Sequence, residues 1–127
     1  MSRLFVPALV IALTACTRTT AESPALFKLL GPGHTGIDFS NPIKTDDSVN
    51  MQTEVFIYNG GGVAAADIDN DGLTDLFFTG NMVSSRLYLN KGGMRFEDIT
   101  ESAGVRTSRW ASGVAVADVN DDGYLDL

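Results

Sequence analysis

The residues Asp67-Ile68-Asp69-Asn70-Asp71-Gly72-Leu73-Thr74-Asp75 set a carboxylate at the first, third, fifth and ninth positions of one short stretch. Acids this close repel, and a chain tolerates the crowding when a cation neutralises them or when water solvates them fully. In a tightly turned loop alternate residues point inward, so Asp67, Asp69 and Asp71 converge while Ile68 and Asn70 point away. Gly72 then supplies the positive φ that reverses the chain. The Leu73 carbonyl turns toward the same centre, and Asp75 closes the shell. Oxygens in this number and of this type suit a hard divalent cation such as Ca2+. An EF-hand opens in the same way but requires a bidentate Glu at its twelfth position. Here that position is Phe78, in an apolar run that reads as strand. A solvated Asp/Gly turn is the alternative reading of one such loop. Against it stands a second copy fifty-one residues on, Asp118-Val119-Asn120-Asp121-Asp122-Gly123-Tyr124-Leu125-Asp126. There Asp118, Asn120, Asp122, the Tyr124 carbonyl and Asp126 take the corresponding places, Asn120 offering an amide oxygen in place of a carboxylate.

Both loops are entered from small-residue stretches, 63–66 and 114–117, which suit strands crowded by neighbours. After the first loop, residues 76–79 read as a buried strand and 86–89 alternate polar with apolar. Lys91-Gly92-Gly93 reads as a hairpin turn, and 95–99 alternate again. One period is therefore four short strands with the acidic loop between the first two. Such a unit repeated every 50 residues or so marks a propeller or array, in which roughly three or more units must stack before a continuous core is buried. The expected fold class is all-β, a partial β-propeller with one full four-stranded blade and the start of the next. The second copy stops at Leu127, so an N-terminal piece of a longer array is expected.

Ahead of the repeats, Gly31-Pro32-Gly33 reads as turn, Ile37-Asp38-Phe39 as a short strand, 44–51 as polar loop and 55–58 as a β-branched and aromatic strand. Asn59-Gly60-Gly61-Gly62 would cradle phosphate only with a helix N-terminus behind it and no anions nearby. It leads instead into the small-residue strand and the acidic loop, so close backbone packing is expected. Trp110, just ahead of the second copy, suits either a sugar-stacking platform or, more commonly for a single Trp beside a small-residue strand, packing in a core or between blades. His34 has no Cys, Glu or second His at ligand spacing and reads as an exposed loop residue.

The 127 residues suffice for one small domain. The formal charge is −7, yet eight of the sixteen acids lie in the two loops, so the acidity is local. The nine Lys and Arg residues are scattered and form no stripe that could neutralise phosphates, which argues against nucleic acid as a partner. At the N-terminus Arg3, an apolar run over 4–13 and Leu13-Thr14-Ala15-Cys16 read as an export signal. The run is too short for a membrane-spanning helix, which needs about 20 residues. The expected segments are a signal peptide over 1–15, a polar tether over 16–26, a strand and loop segment over 27–58, a first repeat over 59–109 and a truncated second repeat over 110–127.

The stretch from Gly62-Val63-Ala64-Ala65-Ala66 through the first acidic loop to Leu76 resembles the FG-GAP or VCBS repeat of integrin α-like β-propellers. Arg86-Leu87-Tyr88-Leu89-Asn90 and Phe96-Glu97-Asp98-Ile99-Thr100 resemble the bacterial branch whose longer members end in an ASPIC/UnbV domain. The resemblance implies a Ca2+ in each loop, held by Asp67, Asp69, Asp71 and Asp75 and by Asp118, Asn120, Asp122 and Asp126. Propellers of this kind serve adhesion, polysaccharide binding and occasionally lyase chemistry. Ala15 followed by Cys16, the sole cysteine, resembles a bacterial lipobox, which implies cleavage before Cys16 and its lipidation; an export signal with an incidental cysteine is the alternative. The residue after Cys16 is not Asp, which by the same analogy permits sorting to an outer membrane.

The functional expectation is an exported, membrane-anchored lipoprotein of the outer membrane or cell surface. Its Ca2+-stiffened propeller would bind a surface protein or glycan, its anchor would hold the membrane, and it would bind no nucleic acid and perform no catalysis. A single histidine placed before the repeats, together with loop acids, assembles no acid–base or nucleophilic set. The alternatives are the scaffold portion of a polysaccharide lyase or hydrolase and a purely structural surface repeat.

Overall fold

The computed structural model describes residues 25–127. The expected signal peptide, Cys16 and the tether as far as residue 24 lie outside the described residues. Regular structure is nearly all β: strands β1 (Val63–Ala66), β2 (Asp75–Phe78), β3 (Arg86–Asn90) and β4 (Phe96–Asp98), with one helical turn, α1 (Pro32–Thr35). The strands pair in sequence order as one antiparallel sheet, β1-β2-β3-β4, the meander of which a propeller blade consists. The four-strand unit expected from the alternating patterns is therefore present, with the acidic loop joining β1 to β2.

Register decides which residues share a face. Ala64 pairs with Phe77 and Phe77 with Leu87, so these three line one side and form the buried core. Ile99, Val105, Val114 and Val116 pack on them, the last two brought by the second unit. The approach between the units is close because both sides are small: a Cβ placed on Gly62 would lie 3.0 Å from the Cα of Gly113. The glycine run thus serves backbone packing, as its sequence context implies. Burying Phe77 and Leu87 contributes about 2 kcal/mol each.

The opposite face carries Leu76, Phe78 and Tyr88. Residues of the leading segment cover it: Phe39 stacks on Phe78 with ring centroids 5.2 Å apart, and the Tyr88 hydroxyl donates to Asp38 Oδ1 at 3.0 Å. Phe78 in turn meets Tyr88 edge-on at 5.8 Å. With cover on both faces, adjacent Leu87 and Tyr88 are both buried, and the in-and-out alternation expected for β3 gives way to a two-sided strand.

Three expectations ahead of the repeats are corrected. Residues 55–58 are consecutive turns, not a strand. The amides of Glu54, Ile57 and Asn59 are satisfied locally, by the carbonyls of Asn50, Glu54 and Phe56. Only Ile57 is buried, and no strand edge among the described residues pairs with this segment, so its β-propensity is overridden. Residues 37–39 run beside the sheet without pairing and are fixed by the Asp38 and Phe39 side chains. Gly31-Pro32-Gly33 enters a helical turn, with Pro32 at its start, where a missing N–H costs nothing. In the second unit the register begins again with the single bridge Ala117↔Asp126, whose two N–H to O distances are 3.2 and 2.9 Å.

Burial, and after it the Asp38 carboxylate, pushes the Tyr88 hydroxyl up from 10.0 to about 12. A raised folded-state value stabilises fully below the unfolded value near pH 10 and is lost as pH rises through about 12. Urea unfolding of the wild type should therefore show a loss of stability across this window that Tyr88→Phe lacks. At pH 7 the substitution should cost about 1 kcal/mol for the lost hydrogen bond. Parallel pH profiles of the two proteins would contradict the assignment.

Candidate metal centre

The β1–β2 loop brings Asp67, Asp69 and Asp71 together, one carboxylate oxygen from each lying within 4.8 Å of the others. At that spacing each like-charge pair costs roughly 1 kcal/mol even at the dielectric of water. The backbone offsets this by aiming amides at the carboxylates. Asp67 accepts from Asp71 N–H at 3.0 Å through Oδ1 and from Gly72 N–H at 2.9 Å through Oδ2. Asp71 Oδ1 accepts from Leu73 N–H at 2.8 Å, and Asp69 Oδ1 lies 3.3 Å from Asp71 N. Gly72 adopts φ +86, the left-handed turn that glycine permits without strain.

The second loop reproduces each bond. Asp118 accepts from Asp122 and Gly123 at 3.2 and 2.8 Å, Asp122 from Tyr124 at 2.9 Å and Asn120 from Asp122 at 3.0 Å. The root repeats as well: Ile68 N–H donates to Asp75 Oδ2 at 2.9 Å, and Val119 N–H to Asp126 Oδ2 at 3.0 Å. Gly123 has φ +85 against +86 at Gly72. The Gly123 amide foremost, with those of Asp122, Asp121 and Asn120, holds the Asp118 carboxyl below the usual carboxylate range.

Asp75 sits apart from the triad at the root of the loop, 1% exposed. Its second oxygen, Oδ1, accepts from Asn90 N–H at 2.8 Å, while Asn90 Nδ2 donates to the Thr74 carbonyl at 2.9 Å. One carboxylate thus ties the loop entrance at Ile68 to the end of β3. Among the described residues no hydrogen bond reaches the Leu73 or Tyr124 carbonyl, which leaves both free to act as ligands. The donor set, carboxylate, amide and carbonyl oxygens on preoriented backbone, fits a hard cation such as Ca2+. His34 lies elsewhere, exposed, with Nε2 3.2 Å from the Gly93 carbonyl.

Two features escape the sequence reading of these loops. Asn70, expected merely to point away, has φ +61 and passes its Nδ2 to the Gly123 carbonyl at 2.9 Å, so the two acidic loops touch. Asp121 takes the equivalent left-handed position at φ +60. Asn and Asp tolerate this conformation better than other side chains, and an Asx residue between alternating acids is the signal that could have exposed it. Trp110, for which packing in a core or between blades is the commoner expectation and a sugar-stacking platform the alternative, is 44% exposed and lines a separate cavity.

Residues 67–127 match the FG-GAP-like repeat family. Cartilage acidic protein 1 of Xenopus tropicalis is 39% identical over 72 residues, which cover 55% of this chain and 11% of that relative. The chain thus spans about a tenth of the length of the curated relative it matches. No solved structure matches it significantly. No helix among the described residues is long and apolar enough to cross a membrane.

Because both Asp75 oxygens accept amide protons, Asp75→Asn must turn a donor toward either Ile68 or Asn90. This should cost about 2 kcal/mol in urea unfolding, the penalty for an unsatisfied buried group. Asp126→Asn should likewise weaken the root of the second loop, through its bond to Val119 N–H. An Asp75→Asn protein as stable as the wild type would remove Asp75 from this role.

Proposed function

We propose that this chain belongs to an exported, Ca2+-binding propeller that binds a surface protein or a glycan, serves adhesion and performs no catalysis. The carrying observation is the bond-for-bond repetition of the acidic loop, with matching amide-to-carboxylate contacts and matching backbone turns at Gly72 and Gly123. A solvated turn needs no such repetition, whereas a coordination shell does. In this reading the first ion sits among Asp67, Asp69, Asp71 and the Leu73 carbonyl, and Asp75, held outside that triad by the Ile68 and Asn90 amides, would close the shell by turning one oxygen inward as the ion binds; the second takes Asp118, Asn120, Asp122, the Tyr124 carbonyl and Asp126. Bound Ca2+ would neutralise the crowded acids and stiffen the blade edge, a structural part. The acids so committed are unsuited to proton transfer, because a bound cation keeps them ionised. The match to the FG-GAP-like repeat supports an extracellular setting. Cys16, with the lipobox-like residues before it, would supply a lipid anchor in the outer membrane of a bacterium, and an ASPIC/UnbV domain would belong to the complete protein.

The test uses the full chain on immobilised surface polysaccharides and surface proteins, with Ca2+ or with a chelator. Retention should require Ca2+, and Asp71→Ala should weaken it several-fold. Cys16→Ser should move the protein from the detergent phase to the aqueous phase. Retention indifferent to chelator would refute the proposed part of the ion. New reducing ends or unsaturated products, abolished by a substitution within residues 25–127, would replace binding with catalysis.

A further inference from the structure

We propose that the cavity beside Trp110 is a binding site for a quaternary ammonium group, a reading that goes beyond the Ca2+ loops and does not depend on them. The cavity measures about 320 Å3 and is lined by Val49, Glu54, Phe56, Ile57, Met82 and Trp110. That is at the small end of the range for small-molecule sites, about 300–1,000 Å3. Ile57, 1% exposed, forms a fixed floor, while Phe56 and Trp110 present open aromatic surface.

The walls are held by a buried amide. Asn81, 4% exposed, exchanges two hydrogen bonds with Asn41, its Oδ1 accepting from Asn41 Nδ2 at 2.6 Å and its N–H donating to Asn41 Oδ1 at 3.0 Å. Its Nδ2 donates to the carbonyls of Gly60 and Ala111, both at 3.1 Å. One side chain thus fixes three segments that supply the lining: residues 54–57 shortly before Gly60, Met82 next to Asn81, and Trp110 next to Ala111. Ala111 N–H further donates to the Gly80 carbonyl at 3.0 Å.

Charge and chemistry select the occupant. Glu54 is the one charged lining residue and takes part in none of the three ion pairs among the described residues. The neighbouring cations do not neutralise it from within the cavity: Arg109 lines a different cavity, and Lys44, whose amide donates to Met82 Sδ at 3.2 Å, does not line this one. A pyranoside would find a single carboxylate for its many hydroxyls, and a neutral apolar group would gain no attraction from the Glu54 carboxylate or from the aromatic rings. A methylated ammonium satisfies both demands. Its methyl groups contact Val49, Ile57 and Met82, while its charge meets the aromatic faces and the Glu54 carboxylate. A free ammonium compound and a choline-type lipid headgroup share this chemistry.

Trp110 is the only tryptophan in the chain and so reports directly on its own site. Titrating the full chain with choline should change Trp110 fluorescence saturably in the millimolar range or below, whereas 3,3-dimethylbutanol, the uncharged carbon isostere, should not. Glu54→Gln and Phe56→Ala, both at exposed positions and so harmless to folding, should each weaken choline binding about tenfold. Phosphatidylcholine vesicles that cosediment with the Cys16→Ser full chain, which lacks the proposed lipid anchor, and are displaced by choline would identify the headgroup as the source. Choline binding without cosedimentation would identify a free compound, and the proposal holds in either case. It is overturned if choline gives no saturable change, if the neutral isostere or methyl glucoside binds as well as choline, or if Glu54→Gln binds choline with unchanged affinity.

Discussion

Carboxylates aimed at backbone amides are the interaction on which the rest of this structure depends. Each acidic loop crowds like charges, and the chain tolerates them because each of Asp67, Asp69 and Asp71, like each of Asp118, Asn120 and Asp122, accepts an N–H from the loop itself. The buried Asp75 extends the scheme into the sheet, since it accepts from Ile68 at the loop entrance and from Asn90 at the end of β3. The loop is thereby fastened to three of the four strands: β1 and β2, which it joins, and β3 through Asn90. An ion centre built in this way would need little reorganisation to fill, which is what preorganised oxygen ligands provide.

The same loops link the two units. The Asn70 side chain reaches the Gly123 carbonyl, while Gly62 and Gly113 let β1 and residues 114–117 approach closely. Contacts at both levels run between neighbouring repeats, as stacked architectures require, where each unit is stabilised chiefly by its neighbour. The leading segment covers the other face through Phe39 and Asp38, and this cover explains why Tyr88 is fully buried on a strand whose pattern suggested one wet side.

What could be read from the sequence follows from how local each cause is. The acidic loops were legible because ligand type and spacing lie within nine residues. The four strands were legible because period-two patterns and the Lys91-Gly92-Gly93 turn are local too. Residues 55–58 misled because β-branched and aromatic residues signal a preference for a sheet, not the presence of a partner edge. The helical turn at Pro32–Thr35 is shorter than any periodicity can reveal. Asn81 and Asn70 act across 21 to 53 residues of chain, and no local pattern marks an asparagine that will find a distant carbonyl. The Trp110 cavity is of the same kind, assembled from three separated segments.

The central claim is that the two loops are a duplicated Ca2+ site, and equilibrium dialysis of the full chain against radioactive Ca2+ at physiological ionic strength tests it most directly. The account predicts two ions per chain, the tighter in the loop with four carboxylates, Asp67 to Asp75, because ligand charge favours a divalent cation. It predicts one ion after Asp67→Asn with Asp69→Asn, and none when Asp118→Asn and Asp122→Asn are added. Binding of no ion by the wild type, or the same number of ions with all four substitutions in place, would contradict it.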